Sequence, residues 1–186
     1  MQTISQRKIW WVEVFAIIAN LGFTVFYIRQ SSWAFLLGVI GPILLGILSW
    51  SRKLYADIAL QVFYVLITIW GWLNLNTTWK EANVDFTRHL ISIVLFLTIA
   101  MLSGYWLKKK TEAALPYLDS TVTSFSILAT IFMMAGCHEN WIYFMVIDLI
   151  CIFLFANRKL YGISALYFLY FLLAIEGYFH LGWIGS

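Results

Sequence analysis

The chain has 186 residues, of which 62% are hydrophobic and only 11% charged, with a mean hydropathy of +0.84. No water-soluble domain of this size has enough interior to hide so much apolar surface, so the bilayer is the solvent. A net charge of +3 is too small to argue for nucleic acid, and the charges cluster between apolar runs as inter-helix loops require.

A spanning helix needs roughly 20 mostly apolar residues. Seven segments fit or nearly fit: 9–28, 33–50, 54–75, 90–107, 115–135, 141–156 and 160–183. The first follows Arg7 and Lys8 as a secretory signal would. It runs on without a small-residue cleavage pattern and is read as a retained helix. Gly38, Gly41, Pro42 and Gly46 make the second a bent or closely packed helix. The fourth, from Ile91 to Leu102, is plain aliphatic. Trp10, Trp11, Trp33, Trp50, Trp72, Trp79, Trp141 and Trp183 sit near segment ends, where interface anchors belong.

The third and seventh segments repeat each other 106 residues apart. Arg52, Lys53, Leu54, Tyr55, Leu60, Tyr64, Leu66, Ile69 and Gly71 recur as Arg158, Lys159, Leu160, Tyr161, Leu166, Tyr170, Leu172, Ile175 and Gly177. Repeat one is therefore 9–75 and repeat two 115–183, with 90–107 as a linker helix that lets both repeats start from the same side. The expected fold is an all-α integral membrane protein, one transmembrane transporter domain over 1–186 in a 3-1-3 arrangement. The substrate is expected where the copies meet. Arg7, Lys8, Arg52, Lys53, Lys108, Lys109, Lys110, Arg158 and Lys159 fall on one side, against Arg29, Lys80 and Arg88 on the other. The positive-inside rule puts the N-terminus in the cytoplasm and the C-terminus outside.

Polar groups in hydrocarbon are costly and should face the bundle interior. Asp57, Gln61, Tyr64 and Thr68 share one face of the third helix, and Asp119, Thr123, Ser126 and Thr130 one face of the fifth. Glu13, Asn20 and Thr24 line the first. For Ser and Thr the expected role is bonding back to helix carbonyls. Asp57, Asp119 and Glu13 are balanced between structural pairing near helix ends and a site. Gln61, Asp148 and Glu176 lie toward mid-depth with no basic neighbour in their own helices, which suits a cationic ligand or a carried proton. A flat cationic ring would be held by stacking and cation–π contact. Trp72, Tyr64, Trp141, Tyr167 and Tyr170 share faces with the polar residues and are the rings expected to do it.

Cys137 and Cys151 form no CxxC and have no His in a ligand spacing. They are read as buried apolar thiols, and no metal or cofactor is assigned. His89, His138 and His180 are scattered. There is no phosphate-binding glycine loop and no catalytic constellation. A self-powered ATPase is excluded and a membrane enzyme is the weakest reading, leaving downhill transport, ion coupling, or a pump powered by another subunit.

At Lys53 to Asp57, Gln61 to Tyr64, Trp70 to Trp72, Ala114 to Asp119, Glu139 to Trp141 with Asp148, and Lys159 to Tyr161 the chain resembles the PnuC family of bacterial vitamin transporters. The resemblance covers nearly the whole chain. It implies a 3-1-3 fold similar to SWEET sugar transporters with opposite orientation, a homotrimer in the bacterial inner membrane, and facilitated diffusion of an unphosphorylated vitamin trapped by a cytoplasmic kinase. Implied substrates include nicotinamide riboside, thiamine and riboflavin. Nicotinamide riboside members typically carry Asn-Trp, then a second Trp, then Asp on the sixth helix. Here Asn140, Trp141 and Asp148 match, but Phe144 takes the place of the second Trp, and Glu176 stands where an uncharged residue is expected. Phe lacks the indole N–H donor. An extra carboxylate favours a compact cation, so the departures lean slightly to thiamine, with nicotinamide riboside the alternative. A proton-coupled carrier and a substrate-binding subunit of a larger pump are the other readings. The expected substrate-binding set is Gln61, Tyr64, Trp72, Asn140, Trp141, Phe144, Asp148, Tyr167, Tyr170 and Glu176.

Overall fold

The computed structural model describes residues 2–51, 55–80, 82, 84–110, 115–157 and 161–184, with the side chains of 2–10, 51, 55–57, 77 and 162 outside that description. The described residues form seven long helices and one short one: α1 Gln2–Ile28, α2 Trp33–Ser51, α3 Tyr55–Leu73, α4 Leu75–Thr78, α5 Phe86–Lys110, α6 Pro116–Met134, α7 Asn140–Asn157 and α8 Tyr161–Phe179. Every backbone polar group in hydrocarbon must be satisfied within its own segment, which is why apolar runs of this length become helices. Trp11–Ile28, Trp33–Trp50, Phe86–Lys110, Pro116–Met134 and Asn140–Asn157 are long and apolar enough to cross a membrane, and Ile58–Leu73 and Ile163–Phe179 are shorter apolar helices.

The repeat extends beyond the segments where sequence identity reveals it. The helix ends Ile28 and Met134, and Leu73 and Phe179, each lie 106 residues apart. Local devices recur at the same offset. Thr24 Oγ1 donates to Asn20 O at 3.3 Å, and Thr130 Oγ1 donates to Ser126 O at 2.8 Å. Both are the expected back-bonds to helix carbonyls.

The chain resolves into two compact units, residues 1–79 with 182–186, and residues 80–181. In the first, α2 packs against both α1 and α3. Tyr27 and Phe35 lie 4.9 Å and 5.4 Å, centroid to centroid, from Trp79. Gly38 and Gly41 let α2 approach Phe23, Thr68 and Asn20, so the glycine-rich stretch is a close-packing surface. In the second unit α5 packs on α6, α6 on α7, and α7 on α8. Leu128, Phe132 and Cys137 form one buried cluster, and Ala129, Ile147 and Cys151 another. Leu90, Ile91, Val94, Leu95 and Leu102 leave the outer side of α5 exposed and apolar, as lipid demands.

Three expectations shift. The last helix stops at Phe179 rather than 183, because His180 and Gly182 take positive φ values of 50° and 82° and the His180 N–H closes on Glu176 O. Of the expected α6 face Thr130 is buried but Thr123 is exposed, and Ser120 and Ser124 are buried in addition. The third segment ends at Leu73, with α4 a separate turn. Of the basic residues behind the expected orientation, Arg7, Lys8, Arg52, Lys53, Arg158 and Lys159 lie outside the described side chains, as does Asp57. Lys108, Lys109 and Lys110 close α5.

The ends of α1 and α6 show the same Schellman cap. Gln30 N bonds Tyr27 O and Ser31 N bonds Phe26 O. Gly136 N bonds Met133 O and Cys137 N bonds Phe132 O. The left-handed residue is Gly136 (φ 75°) in the second unit but Gln30 (φ 51°) in the first. A side chain in that conformation costs about 1–2 kcal/mol. Gln30→Gly is expected to stabilise the detergent-solubilised protein by about 1 kcal/mol, and Gly136→Ala to destabilise it by a similar amount. Thermal unfolding checks both; a neutral pair would mean the caps are not what ends these helices.

Candidate functional site

The second unit gathers seven of the ten expected site residues on two adjacent helices. The Schellman turn ending α6 reverses the chain over Gly136 to Glu139, and α7 starts at Asn140. Asn140 is 3% exposed. Its Nδ2 donates to Cys137 O at 2.6 Å, which fixes the amide orientation and leaves Oδ1 buried without a partner among the described residues. Such an acceptor carries a desolvation cost that a ligand donor would remove.

Trp141 follows, 6% exposed. Its indole lies flat against α8 at Gly177, where an added Cβ would stand 2.5 Å from Trp141 Cε2. Glu176, 4% exposed, is the next residue on that helix. Phe144, one turn further along α7, lies 6.3 Å from Trp141 between ring centroids. Asp148 sits midway along α7 and is 5% exposed. No described residue forms a hydrogen bond or ion pair with it, and α6, α7 and α8 contain no Lys or Arg. A charged carboxylate at this depth costs about 2.5–3.5 kcal/mol on insertion scales. Tyr170 and Cys151 lie within electrostatic reach of it. Tyr167 bonds the Cys151 thiol, stacks on Phe155 at 5.4 Å and meets Tyr170 edge-on at 6.3 Å. Phe144 and Tyr167 pack on the same buried cluster of Ala129, Ile147 and Cys151.

The arrangement is thus a carboxylate with aromatic neighbours on two helices. It has rings for stacking, a buried acceptor at Asn140 and negative charge without a fixed counter-ion. Those features suit a flat ring carrying positive charge.

The remaining three expected residues belong to the first unit. Gln61 is 7% exposed on α3, and an added Cβ on Gly46 would come only into ordinary contact with it. Tyr64 is half-buried beside Phe63 at 5.6 Å. Trp72 is exposed at the end of α3 and stacked on Phe35 at 6.5 Å, a packing role within its unit.

The copies differ where it counts. The α2 positions matching Trp141, Phe144 and Asp148 at the 106-residue offset are Phe35, Gly38 and Pro42. One copy spends this helix on close packing, and the other presents rings and charge.

One group escaped the sequence reading. His89 on α5, Cys137 and Glu139 bring a ring nitrogen, a thiol and a carboxylate oxygen within 4.8 Å of one another. Burial pushes the Cys137 thiol up to about 12, and its hydrogen bond to Glu139 adds to the effect. That bond in turn holds the Glu139 carboxyl below the usual range. No local spacing could have shown this, because His89 reaches the other two only through the packing of α5 on α6.

A family model described as "Nicotinamide mononucleotide transporter" matches residues 10–184. Two proteins called "Nicotinamide riboside transporter PnuC", from Escherichia coli (strain K12) and Shigella flexneri, are each 25% identical over 198 residues, covering 90% of this chain and 83% of theirs. A crystal structure of the vitamin B3 transporter PnuC shares the fold, with a TM-score of 0.71 at 21% identity over 90% of this chain and 79% of that one.

The seat of Trp141 on Gly177 gives a direct test. Gly177→Ala is expected to destabilise the protein by about 1–3 kcal/mol through overpacking. Trp141→Phe should recover part of that loss in the double variant, a coupling above about 0.5 kcal/mol in thermal or denaturant unfolding. Strict additivity would disprove the contact.

Proposed function

The chain belongs to the PnuC family, whose model is that of the nicotinamide mononucleotide transporters, and we propose that it carries nicotinamide riboside across the membrane. It is a multi-pass membrane protein, and its relatives are named as transporters. The observation that carries the substrate class is Asp148, a carboxylate buried midway along α7 with no Lys or Arg on the helices around it. A cationic pyridinium balances that charge. Trp141 and Phe144 offer ring faces, and Asn140 Oδ1 accepts a bond from the sugar or the carboxamide.

The names of the relatives favour nicotinamide riboside over thiamine. The slight lean to thiamine drawn from Phe144 and Glu176 has no support among them. Charge favours the riboside over the mononucleotide, since a phosphate adds about −1.5 to −2 near pH 7 beside Asp148 and Glu176. In this reading uptake is downhill in the bacterial inner membrane, with the N-terminus cytoplasmic, and a separate kinase traps the vitamin. The homotrimer implied by the resemblance belongs to the same proposal.

Purified protein in liposomes is expected to equilibrate labelled nicotinamide riboside without ATP and without sensitivity to a protonophore. Losing one charge contact at about 6 Å and an effective dielectric near 20 costs about 2–3 kcal/mol. Asp148→Asn should therefore weaken riboside binding by roughly 30- to 150-fold. Uptake of thiamine alone would overturn the substrate assignment. Collapse with a protonophore would overturn the downhill mechanism, and co-purification with an ATPase on which uptake depends would make the chain a pump subunit.

A further inference from the structure

We propose that His89, Cys137 and Glu139 form a binding site for one transition-metal ion of the zinc class. The three donors lie on separate pieces of the second unit. His89 stands in the first turn of α5, and Cys137 and Glu139 in the turn between α6 and α7. Their ligand atoms lie within 4.8 Å of one another. Ligand atoms around a tetrahedral zinc, at bond lengths of about 2.0–2.3 Å, sit roughly 3–4 Å apart, so small side-chain rotations close the site.

A second observation, independent of that proximity, points to a ligand. His89 Nδ1 lies 3.0 Å from the Tyr143 hydroxyl, and its Nε2 is buried without a hydrogen-bond partner among the described residues. With Nδ1–H donated to Tyr143, Nε2 presents its lone pair. That is the arrangement metal-binding histidines use, with the far nitrogen held by an outer partner. The ring is also fixed by edge contact with Phe132 at 5.2 Å and stacking over Tyr143 at 6.0 Å.

Cys137 is placed as firmly. Its backbone N–H bonds Phe132 O in the α6 cap, its carbonyl accepts from Asn140, and its S–H donates to Glu139 Oε2 at 3.0 Å. On binding, the S–H proton leaves to solvent, and the freed electron pair of sulfur forms the metal–sulfur bond. Oxidation states do not change. Imidazole, thiolate and carboxylate together suit a borderline-soft divalent ion rather than calcium or magnesium. Three protein ligands leave a fourth position for water. Cys151, sealed among Ala129, Ile147 and aromatic side chains, is a buried apolar thiol and takes no part.

The test uses cobalt(II) as a spectroscopic stand-in for zinc on untagged, reduced, detergent-purified protein. One cobalt per chain with a thiolate-to-metal charge-transfer band, displaced by zinc, is expected. The band should vanish in Cys137→Ser and persist in Cys151→Ser. Affinity should fall at least tenfold in Glu139→Gln and His89→Ala. Unfolding of the metal-free variants, followed alongside, separates lost ligation from lost fold, and Glu139→Gln in the turn carries the test if Cys137→Ser does not fold. Absence of the band at millimolar cobalt, its survival in Cys137→Ser, or equal affinity in wild type and Glu139→Gln would overturn the proposal. Binding through His138 and His180, whose rings lie 5.6 Å apart, would show as cobalt uptake without the thiolate band and would equally refute it.

Discussion

Hydrocarbon accepts no hydrogen bonds, and that constraint orders everything else in this chain. It forces each apolar run into a helix that satisfies its own backbone. It also makes every polar side chain within a run either bond locally or face another helix. Thr24, Thr98, Thr121 and Thr130 take the first course, each donating to the carbonyl four residues back. Ser164 takes the second, reaching from α8 to Ile152 O at 2.9 Å. Asp148 does neither. A charged carboxylate kept in the middle of a helix without a partner is a standing cost, and in the proposed function the bound cation offsets it.

Duplication supplies a scaffold in which that cost can be confined to one copy. Helix ends, caps and threonine back-bonds recur at the same offset, so the backbone is set by features common to both halves. The sequences then diverge on the second helix of each copy. Gly38, Gly41 and Pro42 allow α2 to lie close to its neighbours, whereas Phe144, Ile147 and Asp148 fill α7 with bulk and charge. Gly177 keeps a small position on α8, because the indole of Trp141 occupies the space a side chain would take.

The parts legible in the sequence were those governed by the apolar run and the helical period. Segment count and the internal repetition follow from one-dimensional pattern, and the helix bounds fall within a few residues of expectation except at α1, which begins at Gln2 rather than 9. Boundaries set by single φ values were less legible. Nothing in His180 announces a left-handed residue, and a Gln holding the cap position at residue 30 is equally silent. The α6 face shows how a period misleads. Asp119, Thr123, Ser126 and Thr130 fit a stripe, but burial on α6 takes Ser120 and Ser124 along with Thr130 and leaves Thr123 outside. Trp72 likewise shares a face with polar residues, yet its ring is used at a helix end against Phe35. The cluster of His89, Cys137 and Glu139 was invisible for a stronger reason, since it exists only after two distant segments pack.

Charge decides how the proposed transport can be one-way in effect while the protein itself is passive. In the proposed function a nicotinamide riboside cation is attracted by Asp148 and meets no Lys or Arg on α6, α7 or α8, where Glu176 is a second buried carboxyl. Once phosphorylated, the molecule gains about −1.5 to −2 in charge near neutral pH. Each added negative charge within about 6 Å of a buried carboxylate costs about 3 kcal/mol at an effective dielectric near 20. That is more than a hundredfold in affinity for a single contact. In that proposal the same carboxylate that favours the vitamin disfavours its phosphorylated product. In this mechanism direction comes from the chemistry of the trapped form, and neither an ion gradient nor a nucleotide site is needed in this chain.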